Sequence, residues 1–124
     1  MNVRHPNLQS FYVRVEFDPE EGFKFDPHYL EVPRDIIATI TWFTDDPDIK
    51  FKEFVWCEEN DHCARHPIVR GRYMVGVAQT RGAVGDVYWK YQIKADITTN
   101  GRTHHRESKP CTMMMNGLPA IHPK

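Results

Sequence analysis

Serine is nearly absent from this 124-residue chain: Ser10 and Ser108 are the only two. Neither stands in a Gly-x-Ser-x-Gly elbow, and neither a Gly-rich phosphate loop nor a His-Glu-x-x-His pair occurs, so the familiar hydrolase, phosphoryl-transfer and zinc-protease machinery is excluded. A cysteine nucleophile needs a histidine base that only the fold can bring near, and no enzymatic role is expected. The cysteines are three, Cys57, Cys63 and Cys111. An odd count is not a disulfide framework, and it fits a reducing compartment. A Cys57–Cys63 bridge requires export by a signal lying outside this sequence. No apolar run approaches the roughly 18 residues that cross a bilayer, and MNVRHPNLQSFYVRV contains no apolar h-region or small-residue cleavage site. The expected location is cytoplasmic. No large charge of one sign is present either: the formal net charge is −1, which gives no reason to expect nucleic acid or an anionic membrane as partner.

What the chain has in quantity is alternation. In FYVRVEF (11–17), Phe11, Val13, Val15 and Phe17 share one face and Tyr12, Arg14 and Glu16 the other, the pattern of a half-buried strand. DPEEG (18–22) is a turn. Strand resumes at 23–25 and 29–32, around a bend at Asp26-Pro27-His28. IIATITWF (36–43) is apolar on both faces and predicts a central strand. TDDPD (44–48) turns the chain. IKFKEFVW (49–56) reads as a strand with Ile49, Phe51 and Val55 on one side and Lys50, Lys52, Phe54 and Trp56 on the other. CEENDHCARHP (57–67) is the longest polar connection. Residues 68–79 form a strand in which Gly71 and Gly76 suit a bulge or bend. VYWKYQIKA (87–95) alternates, Asn100-Gly101 signals a hairpin, 102–109 is a polar return strand or loop, and 111–115 is a short last strand. These elements predict an all-β, Greek-key β-sandwich of about seven strands, cupredoxin-like or immunoglobulin-like. Residues 1–10 read as a polar arm, 11–116 as one domain and 117–124 as a tail.

Phe25-Asp26-Pro27, Leu30-Glu31-Val32-Pro33, Arg34-Asp35, Ile40-Thr41-Trp42 and Asp45-Asp46, with Tyr88-Trp89-Lys90-Tyr91 in the second half, make the sequence resemble the cupredoxin-like family. The resemblance covers about 60% of the chain and implies the sandwich. It does not carry copper binding. A blue-copper site takes one His after the Asn/Asp loop, then Cys, His and usually Met near the end. Here Ile49, Lys50 and Phe51 follow Asp45-Asp46, and Ile93 stands where the ligand cysteine would fall. Cys111 and Met113 to Met115 have no His between them. No residue inherits a ligand role, and the resemblance implies a structural or binding module.

Several clusters offer chemistry. Cys57, His62, Cys63 and His66 are N/S donors of the kind zinc or copper accepts; the bland alternative is a polar loop with free thiols. Arg102, His104, His105 and Arg106 form a basic cluster, either a solvated hairpin or a site for an anionic ligand or acidic protein patch. Asp45, Asp46 and Asp48 are explained by turn chemistry or by a hard cation. Met113 to Met115 are core filler or a soft copper site. Phe54 and Trp56 are either core or an apolar patch on a lysine-bearing face, the mark of a protein interface. Charge is also polarised along the chain, −8 over residues 1–62 and +7 over 63–124. This either cancels across strands or drives self-association. The sequence therefore predicts a non-catalytic module for protein interaction or structural assembly, with a protein partner or a homo-oligomer and no cofactor. Its alternative is a metal-binding protein using the Cys57–His66 loop.

Overall fold

The computed structural model describes residues 8–57, 67–79 and 87–119, and these form two sheets and no helix. The strands are β1 (Leu8–Asp18), β2 (Gly22–Asp26), β3 (Leu30–Arg34), β4 (Ile37–Phe43), β5 (Ile49–Trp56), β6 (Ile68–Val69), β7 (Tyr73–Gln79), β8 (Val87–Thr99), β9 (Arg102–Glu107) and β10 (Cys111–Pro119). Ten strands stand among the described residues where about seven are expected. One sheet runs β2-β1-β4-β7-β6 and the other β3-β10-β8-β5, with β9 on the same flank of β8 as β10. β1 lies parallel to β4 and β3 parallel to β10. The first strand begins three residues earlier than expected. Leu8, Gln9 and Ser10 continue its parallel pairing onto Ile37, Ala38 and Thr39, and the Ser10 and Thr39 hydroxyls are 3.0 Å apart. The last strand likewise runs on to Pro119, into the expected tail.

The core is the facing set of alternating residues: Val13 and Val15 of β1, Ala38, Ile40 and Trp42 of β4, Met74 and Ala78 of β7, and Trp89, Tyr91, Ile93, Ala95 and Ile97 of β8. As expected, β4 sits between β1 and β7, one face buried and the other half-covered. At one end of the core Tyr91 stacks on Phe54 (5.2 Å, 11°) and meets Trp42 edge-on at 5.3 Å. Trp56 and Phe25 close the same cluster.

β5 departs from the expected parity. Its pairing with β8 shifts between Phe51 and Glu53, leaving Lys52 as an extra residue. This bulge reverses the alternation, so Ile49, Phe51, Phe54 and Trp56 all face inward. Gly76 is also not a bulge. It pairs in register with Ile40, and a Cβ there would stand 2.9 Å from Pro67 Cγ. The missing side chain is the space into which the Pro67 ring packs. The turn assignments hold. Gly22 has φ +91° after Asp18 Oδ1 accepts the N–H groups of Glu20 and Glu21, and Asn100-Gly101 takes φ values of 51° and 75° between paired Thr99 and Arg102.

Candidate functional site

Phe54 and Trp56 are not a surface patch: they are 2% and 5% exposed. The bulge at Lys52 turns them away from the lysine-bearing face and into the aromatic cluster.

The apolar surface lies instead on the outer face of the first sheet. Register places four rows across its strands: Leu8–Ile37–Gln79, Ser10–Thr39–Val77, Tyr12–Thr41–Val75–Ile68 and Arg14–Phe43–Tyr73. Directly paired residues share a face, and Val13, Ala38, Trp42 and Met74 take the buried one. Leu8 (67%), Tyr12 (61%) and Ile68 (56%) are the most exposed of this set, with Tyr73 and Val77 also open. The charged member of these rows, Arg14, is already engaged. Its guanidinium pairs with Asp45 at 3.1 Å and lies 5.6 Å from the centre of the Phe43 ring. The rows thus join β-branched and aromatic side chains into one patch on four strands, where isolated exposed apolar residues would need no explanation.

The second sheet presents a different surface. Its edge strand β3 contains Pro33, and its edge strand β5 is tied at Phe51, whose N–H donates to Gly71 O at 2.6 Å. These are the usual ways of blunting a sheet edge. In β9 all six residues are exposed, and among the described residues it pairs with β8 alone. Beside its end a cleft of about 510 Å³ opens between Phe23, Phe25, His28 and Tyr29 on one wall and Glu107 to Thr112 on the other.

The nucleophile types near this cleft are committed elsewhere. Ser108 is buried, its Oγ accepts the Ile93 N–H at 2.9 Å, and its own N–H donates to Ile93 O at 2.8 Å. Cys111 Sγ donates to Lys109 O at 3.4 Å. Burial pushes that thiol up to about 11, so it is protonated at neutral pH. Burial also raises the Tyr91 hydroxyl above its ordinary range. The indole N–H of Trp42 approaches that hydroxyl without forming a hydrogen bond of good geometry.

Of the Cys57–His66 set, Cys57 is an exposed free thiol; His62, Cys63 and His66 lie outside the described residues. Asp46 and Asp48 follow turn chemistry. Asp46 N donates to Thr44 Oγ1 at 3.1 Å and Asp48 N to Asp46 Oδ1 at 2.9 Å. Among the described residues no group of three His, Cys, Asp or Glu side chains is placed to hold a metal. The side chains of Met113 to Met115 also lie outside the described set. Among the described residues no helix is long and apolar enough to cross a membrane. Compared with family models and with curated proteins, the chain matches none.

Proposed function

We propose that this chain is a non-catalytic, cupredoxin-like β-sandwich that works as a protein-interaction and assembly module, and that it self-associates through the outer face of its first sheet. One observation carries the reading: the contiguous exposed patch of Leu8, Tyr12, Ile68, Tyr73 and Val77. A second copy is its favoured occupant, because Arg14, the charge within these four rows, is already paired, and the further charges of this face, Glu16, Lys24 and Asp26, lie at its β2 margin. Apposing two such faces about a two-fold axis sets apolar rows on apolar rows. Three strands about 4.8 Å apart and about seven residues long, with the two residues of β6, give a projected area of roughly 360 Å². That is modest against the roughly 800 Å² per partner of a standard interface, so the dimer is weak and concentration-dependent. The engaged Ser108 and the protonated Cys111 support the non-catalytic part.

Light scattering tests it. The weight-average mass should rise from 14.6 kDa toward twice that value as the concentration climbs through the ~0.01–1 mM range of a small interface. A Tyr12→Glu/Val77→Glu variant should stay monomeric with an unchanged far-ultraviolet spectrum. A wild type that is monomeric throughout contradicts the proposal.

A further inference from the structure

We infer that the free edge of β9 is a strand-addition site for an extended acidic segment of a partner protein. The hairpin geometry decides which backbone groups are free. A two-residue loop at Asn100-Gly101 makes Thr99 and Arg102 a mutually hydrogen-bonded pair, and in an antiparallel ladder such pairs alternate. Arg102, His104 and Arg106 therefore turn their N–H and C=O groups toward β8. The next even position behaves the same way, since Ser108 N donates to Ile93 O. Thr103, His105 and Glu107 turn theirs outward, where among the described residues no strand meets them. An extended chain is the ligand whose donors and acceptors repeat with this spacing.

Side-chain chemistry sets the sign of the partner. Arg102, His104 and Arg106 occupy one face of β9 and carry no ion pair among the described residues, whereas on the other face His105 pairs with Asp96 and Glu107 with Lys94. His104 and Arg106 border a recess of about 190 Å³ floored by Phe17, Pro19 and Ile97. Of the nearby turn carboxylates, Asp18 and Glu21 are held by Lys24. A second β9 is a poor occupant. Two-fold antiparallel pairing centred on His104 sets Arg102 against Arg106, and like charges directly opposed are destabilising; centring on His105 gives Arg106 an imidazole and no carboxylate. Glu or Asp at alternate positions of an incoming strand meets Arg102 and Arg106, with His104 between them. The site lies on the second sheet, so it stays open when two copies meet through the first.

The probe is a fluorescein-labelled ten-residue peptide of alternating Glu and Thr, read by anisotropy, with a Lys/Thr peptide as the opposite charge. An N-methylated Glu/Thr peptide lacks alternate donors and leaves the protein untouched. Saturable binding of the Glu peptide is expected, weakened at least about tenfold by N-methylation, by Lys for Glu, or by Arg102→Glu/Arg106→Glu. His105→Pro, which removes an outward N–H and spares the β8 ladder, should act like N-methylation. The dimer-breaking Tyr12→Glu/Val77→Glu variant should bind the Glu peptide unchanged, so failure here and failure of the dimer are separate results. Binding insensitive to N-methylation, or matched by heparin in the His105→Pro variant, identifies a mere polyanion surface and overturns the inference. So does equal binding of both peptides or of neither.

Discussion

Gly76 shows how one missing side chain shapes a neighbour. Pro67 fills the space a Cβ would take, and Trp42 lies just beyond. Gly76→Ala must displace a proline ring that has no flexible end to move, so a loss of about 1–3 kcal/mol is expected from urea unfolding; an unchanged midpoint contradicts the packing. Cys111 makes a second prediction at this scale. In a Cys57→Ser/Cys63→Ser background its alkylation rate should climb about tenfold per pH unit, with half-maximal rate near pH 11. A plateau already reached at pH 9 contradicts the burial. The linkage sign follows. The folded thiol's pKa is raised from 9.0 to about 11, so its contribution is full below about pH 9 and is lost between about 9 and 11. Neither residue's role is legible in the sequence. Gly76 reads there as a bend, because nothing local announces a proline nine residues back packing across the strand. Cys111 reads only as one thiol among three.

At the scale of elements, local chemistry is well written. Strict alternation marks β1 and β8, apolar character on both sides marks β4 as central, and Asp18 to Gly22 and Asn100-Gly101 specify their turns through positive φ and side-chain acceptors. β5 is where alternation misleads. Its eight residues, counted by twos, send Phe54 and Trp56 outward with Lys50 and Lys52. A bulge obeys no period and here carries no glycine, so the shift becomes visible only when β5 is laid against β8. Deleting Lys52 tests the register. The remaining Ile49-Lys50-Phe51-Glu53-Phe54-Val55-Trp56 alternates without interruption and keeps the same inward set, so the variant should fold with Trp emission as blue as the wild type. A red shift, with Trp56 driven to solvent, contradicts the bulge. Deleting Glu53 in place of Lys52 should behave alike, since either removal restores a period of two.

At the scale of the whole molecule, the parity of β1 and β4 was legible and their coverage was not. The sequence separates Tyr12 and Arg14 from Val13 and Val15, and Thr39 and Phe43 from Ile40 and Trp42. Which set meets water depends on where the second sheet lies, a non-local fact. The sheet order assembles Leu8, Tyr12, Ile68, Tyr73 and Val77, drawn from β1, β6 and β7, into one face. The polarised halves meet within the chain where Lys94 of β8 reaches Glu53 of β5, while Arg14 with Asp45 and Lys94 with Glu107 pair inside one half. These exposed pairs contribute little individually. Arg102 and Arg106 of β9 carry no ion pair among the described residues, and they stand on a surface separate from the apolar face.

Hydroxyl-radical footprinting across a concentration series tests the self-association claim most directly, because the molecule carries its own control. Tyr12 and Tyr73 stand on the outer face of the first sheet, and Tyr88 stands exposed on the second. A dimer through the first sheet lowers the oxidation of Tyr12 and Tyr73 as concentration rises and leaves Tyr88 unchanged. Equal protection of all three, or protection of Tyr88 alone, contradicts it.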